Sequence, residues 1–207
     1  MIYKGEYTKE ISFPLGGIGT GSIGLAGNGR LIDWEIFNRP AKGSINGYSH
    51  IAVKAVTKER TYIKILNSDL EKDFTGQYSK INFTGFGFGP ANKSMCGFPH
   101  FKNCVFCGEF PIAKLTFWDD DFPGKVILTA FNPFIPLDSF NSSLPAAFFD
   151  ITFENNTADD IEFYVIFSLE NPYEVSENKL TEKDGISSVV LYNAGKGKDE
   201  TEYGELA

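Results

Sequence analysis

From Ile161 to Leu169 the chain reads IEFYVIFSL, with Ile161, Phe163, Val165, Phe167 and Leu169 at every second position. A period of two places such residues on one face of an extended strand. The same alternation recurs in HIAVKAV (residues 50–56), TYIKIL (61–66), IAKLTFW (112–118), KVILTAF (125–131) and AFFDITFE (147–154). Turn residues separate these runs at intervals of about ten residues, the spacing of an antiparallel sandwich. No window shows a 3.6-residue apolar stripe of helical length. The expected fold is therefore all-β, an antiparallel β-sandwich. AFFDITFE is expected to pair with IEFYVIFSL as a hairpin across the polar turn NNTADD.

One motif argues for another fold. Gly19-Thr20-Gly21-Ser22-Ile23-Gly24 spells G-x-G-x-x-G, the dinucleotide-binding fingerprint. That fingerprint needs a helix opening on it, with an acidic residue about 20 positions further on. Here it runs into Leu25-Ala26 and then Asn28-Gly29, a strong hairpin signal. Seven glycines between positions 16 and 29 would each cost a helix about 1 kcal/mol relative to Ala. The stretch reads as a glycine-rich hairpin, and no nucleotide or other cofactor is implied.

With 207 residues, 20 Phe, nine Tyr and two Trp, the chain has ample material for a core. Its net charge of −8 repels phosphate backbones and anionic lipid, which argues against nucleic-acid and membrane partners. No apolar run reaches the ~20 residues of a membrane span, and MIYKGEYTKEISF lacks the apolar core of a secretion signal. A soluble, cytoplasmic protein is expected, so the N-x-S/T sequences at Asn82, Asn92, Asn141 and Asn155 read as polar turns. The whole of 1–207 is expected to form one sandwich domain. After Pro172 the chain turns acidic and loop-like, then recovers a strand at 186–192. Its end, Tyr203-Gly204-Glu205-Leu206-Ala207, reads either as the opening of a cut strand or as a frayed tail.

Three clusters carry side chains suited to chemistry. Cys96, His100, Cys104 and Cys107 have enough thiolate and imidazole for a zinc site. However, Cys104 and Cys107 fall on a strand, where residues three apart point to opposite faces, so no metal is expected. Asp119-Asp120-Asp121 reads as a solvated hairpin turn. The third cluster is LIDWEIFNRP, residues 31–40. Asp33 and Glu35 share a face if the segment is extended, Trp34 could stack on a sugar, and Asn38 and Arg39 could hydrogen-bond hydroxyls. Two carboxylates serve glycoside hydrolysis when they flank a bond, whereas neighbours on one strand approach from the same side. The alternative is structural, with Arg39 pairing with Asp33 or Glu35 while Trp34 and Phe37 lie in the core. With only His50 and His100, histidine general-base chemistry has few openings.

FPLGGIGTGSIGLAGNGRLIDWEIFNRP, GEFPIAKLTFWD, AFNPFIPLDSFNSSLPAAFFDITFEN and IFSLENP together resemble the amino-terminal domain of glycoside hydrolase family 116. This family includes non-lysosomal glucosylceramidases and bacterial β-glucosidases. The resemblance runs from about Phe13 to Pro172. It implies an amino-terminal β-sandwich packed on a carboxyl-terminal (α/α)6 helical barrel that carries the nucleophile and the acid/base carboxylate. Nothing in this chain matches the barrel's catalytic motifs, so no catalytic residue is carried over. The implied role is non-catalytic: bracing a barrel present in cis or as a separate chain, with Asp33, Trp34, Glu35, Asn38 and Arg39 as candidates near the sugar entrance. Two other roles remain open. One is a free-standing carbohydrate-binding module; the other is an assembly module that forms a homodimer through an open sheet edge.

Overall fold

The computed structural model describes residues 1–69, 95, 97–200 and 203–207. Cys96 and the sequons at Asn82 and Asn92 lie outside the described residues. The chain divides into two compact units, Met1–Ser168 and Leu169–Ala207.

The described residues of the first unit form eleven strands: β1 (Ile2–Lys4), β2 (Ser12–Leu15), β3 (Ser22–Ala26), β4 (Leu31–Glu35), β5 (His50–Val56), β6 (Thr61–Ile65), β7 (Asn103–Glu109), β8 (Ile112–Trp118), β9 (Lys125–Phe131), β10 (Phe148–Glu154) and β11 (Glu162–Ser168). A single helical turn, α1 (Ser139–Ser142), precedes β10. The strands form antiparallel sheets in the orders β1-β7-β8-β9-β10, β11-β5-β6 and β2-β3-β4. The second unit is one antiparallel sheet of β12 (Ser176–Lys183), β13 (Ile186–Asn193) and β14 (Glu205–Leu206). Strand β12, whose sequence SENKLTEK had read as loop, is held by an unbroken eight-residue register with β13. Among the described residues no helix is long and apolar enough to cross a membrane.

The all-β antiparallel expectation holds, and three strands fall on the residues where alternation placed them, 50–56, 112–118 and 125–131. On β8 the buried residues are Ala113, Leu115 and Phe117, the face that the period of two selects. They sit opposite Ala130, Leu128 and Val126 of β9, all buried, so each cross-strand pair adds to one core. Burying each of the larger side chains contributes about 1.5–3 kcal/mol. The Asn28-Gly29 hairpin also forms. It joins β3 to β4, with the Gly29 amide donating to the Ala26 carbonyl at 2.9 Å.

The expected β10–β11 hairpin does not form. Strand β10 hydrogen-bonds to β9, and β11 crosses to the other sheet to pair with β5. The two strands instead face each other through their side chains. Phe153 stacks on Phe163 with ring centroids 4.3 Å apart, and Phe149 meets Phe167 at 6.1 Å. Both strands are apolar on one face, and pairing them edge to edge would leave those faces side by side toward water. Placing them in opposed sheets turns the aromatic rows onto one another.

Candidate functional site

Asp33 does not sit in regular strand geometry. Ser22 pairs with Glu35 and Gly24 with Ile32, so Asp33 and Trp34 together oppose Ile23 alone. This is a β-bulge, and Asp33 takes its left-handed position with φ 51°. The bulge turns the Asp33 carboxylate into a polar knot. Ser12 Oγ donates to Oδ2 at 2.6 Å, and the Gly43 amide donates to Oδ1 at 2.5 Å. Lys42 Nζ lies 3.5 Å from Asp33 and 2.9 Å from Glu35. The Ala41 amide donates to Glu35 Oε1 at 3.1 Å. Ser44 completes the staple: its carbonyl accepts from the Asp33 amide and its hydroxyl from the Trp34 amide.

Asp33 and Glu35 therefore do converge, and the cation between them is Lys42 rather than Arg39. Burial pushes the Glu35 carboxyl up, but the Lys42 ammonium and the Ala41 amide outweigh it and hold it below the usual value. Burial lowers the Lys42 ammonium, while Glu35 and Asp33 together bring it above its usual range. A glycosidase acid needs a raised pKa in order to deliver a proton, and Lys42 pushes Glu35 the other way. Trp34 is 9% exposed and belongs to the interior of this unit. Phe37 is half-buried, while Asn38 and Arg39 are exposed. Asn38 has φ 51°, and the Arg39 guanidinium lies 5.8 Å from the Phe37 ring centre. Of the five candidates, the structure knots Asp33 and Glu35 together, buries Trp34, and leaves Asn38 and Arg39 at the tip.

The glycine-rich stretch connects this tip to a second feature that sequence reasoning had missed. A Cβ at Gly21 would lie 2.8 Å from the Glu35 carbonyl. A Cβ at Gly17 would fall inside contact distance of the Leu144 carbonyl and 2.6 Å from the Ser143 carbonyl carbon. The glycines thus let one loop lie flat between the end of β4 and residues 132–144. Ile18 donates its amide to the Ser142 carbonyl at 2.9 Å. The buried Asn132 side chain accepts from the Gly16 amide at 2.6 Å and donates to the Pro14 carbonyl at 2.9 Å.

Residues 135–142 form a tightly tied projection. The Ser142 hydroxyl accepts from the Ile135 amide and donates to the Ile135 carbonyl, both at 2.9 Å. Asp138 caps α1 by accepting from the Asn141 amide at 3.0 Å and from its side-chain amide at 2.6 Å. These contacts hold Leu137 at φ 67°, fully exposed to water, with Phe140 87% exposed. Ile18, Ile135 and Leu144 are exposed beside them. A left-handed leucine is strained by roughly 1–2 kcal/mol. Leu137→Gly should consequently raise the stability of this chain by about 0.5–1 kcal/mol, read as a higher urea midpoint at unchanged slope. The signal in the sequence was NPFIPLDSFNSS, where apolar residues sit among turn formers.

Of the cysteine cluster, Cys104 and Cys107 lie on β7. Cys104 is opposite Phe117 and Cys107 opposite Lys114 in an unbroken register, so the two thiols point to opposite faces. Burial pushes the Cys104 thiol far above its usual pKa, which suppresses the thiolate that a metal requires. His100 Nδ1 lies 3.9 Å from Asp69. Among the described residues no three His, Cys, Asp or Glu side chains are grouped to hold a metal.

Asp119 corrects the reading of the aspartate run as a solvated turn. Its side chain is fully buried beside Lys64, whose Nζ donates to Oδ2 at 2.5 Å. Lys64 also donates to Asp121 at 2.8 Å and to the His100 carbonyl at 3.1 Å. Only Asp120 and Asp121 are exposed.

Comparison with curated proteins found no match. The family model described as beta-glucosidase 2, glycosyl-hydrolase family 116 N-term, matches residues 12–207. That match spans the glycine loop, the Asp33–Lys42 knot and the Leu137 projection, and the chain belongs to the family 116 amino-terminal domains.

Proposed function

We propose that this chain is the non-catalytic amino-terminal module of a β-glucosidase- or glucosylceramidase-type enzyme, working in the cytoplasm on carbohydrate. Its partner is a helical-barrel catalytic domain, in cis or on a separate chain. The observation that carries this reading is the projection at Leu137 and Phe140, which is strained, tied by hydrogen bonds and held out into water. A fold does not maintain an exposed, strained leucine for its own stability; a protein socket that receives it supplies the compensation. The glycine loop joins this projection to the 36–40 tip, so seating the projection on the barrel brings Asn38 and Arg39 toward the sugar entrance. Asp33, Glu35 and Trp34 then act as the foundation of that tip, and Asn38 and Arg39 as its contacts to sugar hydroxyls.

The test is to assay this chain alone and together with a family 116 helical barrel on an aryl β-glucoside. The chain alone should show no turnover, and the combination should be active. Replacing both Leu137 and Phe140 with aspartate should abolish co-purification with the barrel. Turnover by the isolated chain, or a double variant that binds as well as the parent, would overturn the proposal.

A further inference from the structure

The exposed edges of the described sheets are mostly protected against strand addition. Strand β1 has three residues and β14 two. Strand β2 carries Pro14, β4 is broken by the Asp33 bulge, β6 points Lys64 inward, and β12 carries Lys179, Lys183, Glu177 and Glu182. Strand β10 carries Asp150 and Glu154. These are the usual devices that keep an edge from pairing with another chain.

Strand β11 has only one of them, a single charge at its first residue, Glu162. Among the described residues, its seven residues, EFYVIFS, pair only with β5, in an uninterrupted register. They contain no Pro and no Lys, and Tyr164, Val165, Ile166 and Phe167 are each 45–50% exposed.

The sequence of this edge is self-complementary. If two copies of β11 align antiparallel about Val165, Phe163 lies opposite Phe167, Tyr164 opposite Ile166, and Val165 opposite itself. Glu162, the one charge in the strand, meets Ser168, so no like charges face each other. Aromatic pairs directly across an antiparallel ladder are stabilising, and opposed like charges are not. A twofold pairing also closes on itself and leaves no open edge to propagate.

We propose that a second copy of this chain covers β11, forming a symmetric dimer through a continuous β5-β11-β11-β5 ladder. This pairing is independent of any catalytic barrel, because it uses a different strand from the Leu137 projection.

Light scattering and sedimentation equilibrium on the full chain should give twice the monomer mass at tens of micromolar. Val165→Lys places two ammonium groups opposite one another across the twofold. It should weaken dimerisation at least tenfold in protein whose circular dichroism shows the β-fold retained. Val165 shares a face with Phe163 and Phe167, which pack on Phe153 and Phe149, so the uncharged Val165→Cys variant decides the case if the lysine variant unfolds. Val165→Cys tests the register directly. Opposed residues lie about 4.5–5.5 Å apart between Cα atoms, within disulfide range, so mild oxidation should give a homodimer linked Cys to Cys at position 165. The proposal is overturned by a monomeric parent chain, by open-ended polymers, by a dimer indifferent to Val165→Lys, or by oxidation that yields no 165–165 link.

Discussion

Lys64→Met should destabilise the fold by about 3 kcal/mol, the lower end of the ~3–5 kcal/mol range for removing one partner from a buried ion pair. Methionine fills nearly the same space, so the loss isolates the charge. Asp119 remains fully buried without its 2.5 Å ammonium partner. The Lys102 amide, which donates to it at 3.0 Å, and the Lys102 ammonium at 3.6 Å both persist, which sets the cost at the lower end. The pH dependence supplies a signature that a mere packing defect would not give. In the parent chain burial raises the Asp119 carboxyl, but Lys64 and the Lys102 amide overcome it and hold the pKa well below the ordinary carboxylate range. A depressed folded pKa contributes stability that is present above about pH 4 and is lost as pH falls below it. Without Lys64 the burial cost is offset only in part, by Lys102, so protonation of Asp119 costs the variant less than the parent. The gap between parent and Lys64→Met in urea unfolding should therefore narrow from pH 7 to pH 3. A gap that stays constant over that range would refute the assignment.

Alternation and turn chemistry made most of the first unit's strands legible, because faces and turns are local properties. Strand β8 was readable down to its buried Ala113, Leu115 and Phe117. Pairing was not readable in the same way. The row of Phe149, Ile151 and Phe153 specifies a face to be covered but not which strand hydrogen-bonds to β10 and which lies over that face. The structure chose the opposed sheet, with Phe153 on Phe163, and no period of two distinguishes those outcomes. Strand β12 was hidden for a different reason. SENKLTEK has no apolar row, and its extended form depends on its ladder with β13.

Long-range ion pairs were the least legible feature. Asp119 looked like part of a hydrated acidic turn because the lysine that buries it is 55 residues away in sequence. At the candidate site, LIDWEIFNRP advertised its own arginine as the counter-charge. The bulge at Asp33 changes which way the carboxylate points, however, and it is the chain returning at Lys42-Gly43 that supplies both the ammonium and an amide. The dinucleotide-like spacing at Gly19, Gly21 and Gly24 recorded a real backbone demand in the wrong context. Gly21 and Gly24 admit neighbouring strands, and Gly19 supplies a left-handed turn at φ 72°, so none of the three cradles a pyrophosphate.

Gly17→Ala offers the sharpest test of that point, with an expected loss of about 2–3 kcal/mol, at the upper end for forced overpacking. The added methyl would meet the Leu144 carbonyl and Ser143 backbone on one side and Thr20 Oγ1 at 2.6 Å on the other. Main chain cannot rotate away as a long side chain can, so either the glycine loop or the 135–142 projection must move. The Ile18 amide bond to the Ser142 carbonyl, 2.9 Å long, lies at the point of strain and is the first to lengthen. Amide hydrogen exchange should consequently accelerate at Ile18 before it changes in β8 and β9, whose core the substitution does not touch. The same displacement separates the Leu137 projection from the 36–40 tip, so binding to a helical barrel should fall by more than global unfolding accounts for. Gly19→Ala is the matched control: a methyl there meets nothing within 4 Å, although its φ of 72° carries the usual left-handed penalty of roughly 1 kcal/mol. Equal loss of barrel binding in both variants would show that the close packing at Gly17 is not what joins the two surfaces.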